Sequence, residues 1–110
     1  MDKSNLEIHK TIENFKKSLS KYGINVEKAF LYGSHAKGTA HQFSDIDLIV
    51  ISPDFEGLNF KQRCEVLGRA IVEVMEPIEP LAYTPEEFAA LELPSIGAMI
   101  ANNQIEHIAV

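Results

Sequence analysis

The pair Gly33-Ser34, followed after ten residues by Asp45-Ile46-Asp47, constrains this chain more than any other feature. The apolar stretch before the pair predicts a strand that ends at Gly33, where a residue without a Cβ lets the backbone turn sharply and approach a ligand closely. Ser34 then opens a short predicted helix over 34–37. The positive end of that helix, with the backbone N–H and hydroxyl of Ser34, suits the terminal phosphates of a nucleotide. The pair therefore predicts a phosphate-binding turn.

Asp45 and Asp47 begin a second predicted strand, over 45–51. Their spacing of two places both side chains on the same face of the strand. Hard oxygen ligands favour Mg²⁺, which commonly binds through one or two carboxylates plus substrate phosphates. Two such ions can clamp the attacking and leaving oxygens of an in-line phosphoryl displacement. Each half alone is an ordinary turn or a solvated strand end, but the joint pattern favours the catalytic interpretation.

The rest of the chain alternates between helical and extended patterns. Helix spacing and capping signals predict further helices, and short apolar runs predict further strands. The predicted helices cover the region from Ser4 to Gly23, 59–75 and 85–91, and the predicted strands cover 26–32, 78–83 and 105–108. This order predicts one α/β (α+β) domain over 1–110, with a small mixed sheet backed by helices.

Composition limits the partners and the location. The chain has 16 acidic and 10 basic residues, a formal charge of −6 and no basic stripe, so a nucleic acid acceptor is disfavoured. The single cysteine, Cys64, excludes an internal disulfide and a cysteine-based zinc site. We expect it to be buried on an apolar helical face with Phe60, Leu67, Ile71 and Val74. No signal peptide or membrane-spanning run is evident, which predicts a cytoplasmic protein without a membrane partner.

With Gly33-Ser34 followed after ten residues by Asp45-Ile46-Asp47, the chain resembles the minimal nucleotidyltransferases of the polymerase-β-like superfamily. The signature of that family is Gly-Ser, ten residues and Asp-x-Asp. The resemblance implies the polymerase-β-like fold, ATP as the donor and two Mg²⁺ ions held by Asp45, Asp47 and a third carboxylate from a neighbouring strand. Glu79 occupies the matching place, where the family usually has Asp. Its implied work is to hold metal and help deprotonate the acceptor hydroxyl. Glu76 and Glu79 could instead both be solvated surface acids.

Four residues are predicted to contact the nucleotide: Gly33, Ser34, Lys37 and Ser44. Lys37 stands where the family often has Arg, and can neutralise a phosphate or be a solvated lysine at a helix end. Ser44 could bond the phosphate or a carboxylate, or simply close the polar loop. His35 and His41 belong to no spaced cluster of ligands, so we expect surface histidines there.

The resemblance implies transfer of a nucleoside monophosphate, AMP by default, to an acceptor hydroxyl. Small members of the family are often encoded with a helical HEPN-type partner as toxin and antitoxin, and add AMP to a tyrosine of that partner. A free-standing enzyme with a small-molecule substrate is an alternative. A further alternative is a nucleotide-binding or partner-neutralising module that no longer transfers. Apolar Ile96, Met99 and Ile100 could pack on the domain or on a second chain, so an oligomer stays open.

Overall fold

The structure is a computed structural model that describes residues 5–32, 46–90 and 105–108. In chain order the elements are α1 (Asn5–Lys21), β1 (Lys28–Tyr32), β2 (Ile46–Ile51), a 3-10 helix (Pro53–Phe55), α2 (Phe60–Val74), β3 (Ile78–Tyr83), α3 (Pro85–Ala90) and β4 (Ile105–Ile108). Several predictions fall outside the described residues, including the surface positions of His35 and His41 and two that concern packing and local structure. The last two are the short helix over 34–37 and the packing of Ile96, Met99 and Ile100.

The first helix ends where the sequence predicts. Gly23 has a φ of +88°, a left-handed conformation that favours glycine. The N–H of Gly23 donates to the carbonyl of Ser20, and the N–H of Ile24 donates to that of Leu19. These paired bonds satisfy the last carbonyls of α1 and turn the chain toward β1.

Four strands form one mixed sheet in the order β3-β2-β1-β4. β1 pairs antiparallel with β2 and with β4, whereas β2 and β3 are parallel. Parallel neighbours need a long crossover, and α2 provides it between β2 and β3. The predicted mixed sheet is confirmed.

The two faces of the sheet differ in their cover. The first face packs against α1 and α2 around the main core, which is made of buried apolar residues. These include Ile12, Phe15, Leu19, Ala29, Leu31, Ile46, Leu48, Val50, Leu67, Ala70 and Ile78. The second face has a smaller cluster, where Phe30, Ile49 and Ile51 pack with Tyr83 of β3 and Phe88 of α3. Phe30 and Phe88 stack with their ring centroids 5.4 Å apart.

The predicted burial of Cys64 is wrong. Cys64 is exposed, and Phe60 is 84% exposed at the start of α2. Leu67 and Ala70 are the residues of this helix that are buried. Because α1 packs alongside α2, the buried arc of α2 is rotated toward α1, and the side of the helix that carries Phe60 and Cys64 faces solvent.

No helix in the described parts of the chain combines the length and the apolar character that crossing a membrane requires.

Candidate functional site

Asp47 and Glu79 meet at the beginning of two neighbouring strands. β2 and β3 run parallel in a register that pairs Asp47 with Glu79. Parallel strands lie about 4.8 Å apart, and paired residues project from the same face. Ile46 and Leu48 on either side of Asp47 are buried in the main core, so alternation puts Asp47 on the second face. Asp47 is half-buried, and Glu79 is exposed.

The end of β1 completes this row of residues. Tyr32, the last residue of β1, is the register partner of Asp47. Gly33 and Ser34 follow Tyr32 in the chain, and Asp45 directly precedes Ile46. Five predicted site residues lie outside the described part of the structure: Gly33, Ser34, Lys37, Ser44 and Asp45. The geometry that is described therefore brings together Asp47 and Glu79, at the strand end from which the predicted phosphate-binding turn begins.

The backbone around the two carboxylates is held firmly. The N–H of Ile46 donates to the carbonyl of Pro77 at 2.7 Å, which links the first residue of β2 to the residue just before β3. Ile46 and Ile78 then anchor both strands in the core, each at most 5% exposed. Asp47 and Glu79 each follow one of these anchors. A site built on paired, buried strands keeps its side chains in position better than one on loops.

The other end of β3 is fixed by Arg63, a residue whose role the sequence analysis missed. Its guanidinium donates to both carboxylate oxygens of Glu87, at 2.6 and 3.0 Å. It also donates to the backbone carbonyls of Leu58 and Phe55, at 2.9 and 3.0 Å. Arg63 thus ties α2 to the start of α3, directly after β3. Nothing in the spacing of Arg63 and Glu87 along the chain signals this contact.

Glu87 has a second role at the start of α3. The N–H of Thr84 donates to Glu87, and the N–H of Glu87 donates to the hydroxyl of Thr84, which closes a reciprocal cap. The hydrogen bond from Arg63, with that from the Thr84 backbone, lowers the pKa of Glu87 to about 2. The carboxylate is therefore charged at neutral pH, and the turn after β3 stays closed.

The carboxylate pair fits a divalent metal. Mg²⁺ prefers oxygen ligands and is often held by one or two carboxylates together with substrate phosphates. Asp47 and Glu79 provide two carboxylates on one face at the spacing of neighbouring strands. Within residues 5–32, 46–90 and 105–108, no three acidic, histidine or cysteine side chains lie together as a ready metal site. Asp45, the third predicted ligand, is not among those residues.

The site thus lies on a small mixed sheet, with α1 and α2 on the first face and the two carboxylates on the second. The family model for the nucleotidyltransferase domain matches residues 12–96, so the chain belongs to that family. The predicted resemblance to minimal nucleotidyltransferases is confirmed at this level.

The chain is also similar to one curated relative and to two solved structures. A candidate protein adenylyltransferase of Methanocaldococcus jannaschii is 32% identical over 92 residues, which cover 80% of this chain and 60% of that protein. A candidate nucleotidyltransferase from Sulfolobus solfataricus is 20% identical, with a TM-score of 0.53 over 84% of this chain and 86% of its own. A toxin-antitoxin structure with AMP-PNP is 19% identical, with a TM-score of 0.57 over 88% of this chain and 72% of its own. The two structures support the predicted fold.

Proposed function

We propose that this chain transfers AMP from ATP to a hydroxyl group of another molecule. The observation that carries the proposal is the register of Asp47 with Glu79, which gives the second face of the sheet two adjoining carboxylates at the end of β1. Membership of the nucleotidyltransferase domain family supplies the reaction class. The position of this carboxylate pair agrees with the sequence analysis. The predicted phosphate-binding turn begins at Gly33, one residue after Tyr32, which is the register partner of Asp47.

Asp45, Asp47 and Glu79 are the residues that would hold Mg²⁺, with two ions expected. When bound, the metal supplies positive charge to the triphosphate and to the oxygens that attack and leave. Asp47 and Glu79 contribute a rigid frame for this group, because β2 is buried at the centre of the sheet and β3 is paired to it throughout. Such preorganised charge is the main source of rate when no covalent intermediate forms.

The donor would be held by Gly33, Ser34, Lys37 and Ser44. A turn at Gly33 would let backbone N–H groups approach the β and γ phosphates, and the hydroxyl of Ser34 would donate to them. Lys37 adds positive charge. This arrangement would leave the α phosphorus facing the carboxylate pair, where an acceptor could reach it.

The reaction then balances without a covalent enzyme intermediate. The acceptor oxygen forms a bond to the α phosphorus, and the bond from that phosphorus to the bridging oxygen of the β phosphate breaks. The proton of the acceptor hydroxyl passes to the carboxylate of Glu79, and pyrophosphate leaves with the electron pair of the broken bond. Glu79 is exposed enough to meet an acceptor from outside the domain.

The proposed acceptor is a tyrosine hydroxyl on a helical HEPN-type toxin partner, which gives this chain an antitoxin role. Three observations support it: the likeness to minimal nucleotidyltransferases, the relative named as a candidate protein adenylyltransferase, and the fold shared with a toxin-antitoxin structure. The chain spans 60% of the length of that relative.

The test follows label from α-³²P-ATP into a HEPN-type protein encoded beside this chain, with Mg²⁺ present. We expect labelling by the natural chain and none by Asp45→Asn or Asp47→Asn, while Glu86→Gln, an exposed acid on α3, serves as the matched control. Removal of Mg²⁺ should abolish labelling as well. Equal labelling by the Asp47 variant would refute the proposed site. Partner binding without any labelling by the natural chain would instead identify a neutralising module.

A second measurement addresses the phosphate-binding turn. Ser34→Ala should raise the ATP concentration needed for half-maximal transfer, because one donor to the phosphates is lost. An unchanged ATP requirement would show that the turn does not bind the nucleotide.

A further inference from the structure

The solvent side of α2 carries a stripe of apolar and small residues. We define the α2 stripe as Phe60, Cys64, Gly68, Val72 and Met75. The first four are spaced four apart, so each lies about one turn after the last and roughly 40° further round the helix, and the row winds gradually across the outer side of α2. Phe60, Val72 and Met75 are 84%, 74% and 85% exposed. Scattered exposed apolar residues are normal, but an aligned row on one helix indicates an interaction surface.

Gly68 lies at the middle of this stripe. A Cβ added there would meet nothing within 4 Å, so the fold of the single chain does not require glycine at this position. Glycine in a helix interior is unfavourable relative to alanine. With Cys64 one turn earlier, Gly68 leaves a shallow depression, and small residues at such spacing let a second helix approach closely.

The stripe is complementary to itself when two helices cross in opposite directions. Phe60 and Met75 lie at nearly equal distances on either side of Gly68. A two-fold axis at Gly68 therefore sets the two glycines against each other and Cys64 of each copy beside Val72 of the other. Large residues at the ends meet the ends of the opposite stripe, which is the isologous pattern of two-fold dimers.

Charges beside the stripe favour the same arrangement. Exposed Glu65 and Arg69 follow Cys64 and Gly68 on one flank of the helix. In an antiparallel pair the same flank of each helix faces its counterpart. Glu65 of one copy then lies beside Arg69 of the other, and the contact occurs twice by symmetry. Opposite charges placed this way select the antiparallel register more than they add affinity.

We propose that the α2 stripe is a docking surface for a second copy of this chain, formed by antiparallel packing of two α2 helices around Gly68. The helix lies on the first face of the sheet, so the dimer leaves Asp47 and Glu79 on the second face accessible. The inference is independent of the proposed transfer reaction. A helix of 15 residues is about 22 Å long and offers less than the roughly 800 Å² per partner of a typical stable interface. The dimer is therefore reversible, and its population rises with protein concentration.

Disulfide trapping tests the register directly. Val72→Cys in the natural background places a new thiol beside Cys64 of the other copy, and mild oxidation should yield a covalent dimer. Lys17→Cys, on the exposed side of α1, is the matched control and should stay monomeric under the same oxidation. Equal trapping by both variants, or none by Val72→Cys, would overturn the proposed register.

Sedimentation equilibrium over a range of concentrations tests the association without a covalent bond. Glu65→Arg and Arg69→Glu should each weaken the dimer about fivefold, because both symmetric ion pairs become repulsive. The double exchange should restore the natural dissociation constant. Circular dichroism melts confirm that each variant is folded. A chain that stays monomeric up to near-millimolar concentration, or a double exchange no tighter than the single variants, would reject self-association through α2.

Discussion

Shortening Glu79 by one methylene tests how closely the site is built around a glutamate. In Glu79→Asp the carboxylate withdraws toward β3 by about 1.5 Å, the length of one carbon-carbon bond. The sheet cannot compensate, because the paired backbones of β2 and β3 fix the positions of Asp47 and residue 79. A misplacement of about 1 Å can reduce a rate by on the order of a hundredfold. We therefore expect transfer to slow about a hundredfold, which is about 2.7 kcal/mol of activation free energy.

The assay should separate chemistry from binding. Single-turnover transfer from labelled ATP at saturating partner reports the chemical step, and equilibrium binding of ATP is measured on the same preparations. Glu79→Ala should abolish transfer and leave ATP binding largely intact, since the proposed phosphate-binding residues are untouched. Glu76→Asp is the matched control: it makes the same chemical change just before β3, outside the row of Asp47, and should have little effect.

The related family usually has Asp where this chain has Glu79, which gives the opposite result a clear meaning. A Glu79→Asp variant as fast as the natural chain would show that the length of this side chain does not position the acceptor. A faster variant would show that the glutamate limits the reaction. Either outcome would contradict the proposed fit of the site to Glu79.

Three further changes test the stability of the fold. Gly68→Ala should raise the free energy of unfolding by about 0.5–1 kcal/mol in urea titrations of dilute protein, because alanine favours the helix and its methyl meets open space. Arg63→Lys should lower it by roughly 2–3 kcal/mol in the same titrations, because an ammonium cannot replace the fork that binds Glu87 and two backbone carbonyls; an unchanged midpoint would refute the clamp. The pKa values of Glu73 and Glu87 are lowered to about 2 in the fold, so the unfolded chain binds more protons below about pH 4.5, and stability should fall as pH drops from there toward 2. Glu73→Gln should flatten that acid dependence in melts recorded over the same pH range.

Helix and strand limits were well predicted because their signals are local. Asn59 and Gln62 cap the start of α2 reciprocally, and left-handed Met75 ends it, as the sequence predicts within a residue. The bounds of β3 and β4 also agree with the prediction. β1 begins two residues later than predicted. Val26 is buried but precedes the paired strand, because β2 ends at Ile51, which is the register partner of Lys28.

The meeting of Asp47 with Glu79 could not be predicted from the residues alone. A period of two assigns each residue to a face of its strand, but it does not tell which strand is the neighbour or in what register. The two residues are separated by the whole of α2, so their approach depends on a parallel crossover. Family resemblance suggested the pairing, and the register of the sheet gives it a physical basis. Their catalytic roles stay predictions until the transfer assay is performed.

The outer side of α2 shows where apolar periodicity stops being informative. Phe60, Cys64 and Leu67 recur at a spacing that a helix uses for one buried face, and the pattern does not distinguish its own core from a partner's surface. The packing of α1 settles the side: the main core joins the two helices, and Ser18, Lys21 and Tyr22 all donate to Glu73 at the edge of this contact. Small Ala70, which gives little periodic signal, then becomes fully buried, and Phe60 is left in solvent. Folding of the single chain leaves Phe60, Val72 and Met75 in solvent, and the proposed second α2 helix would cover them together.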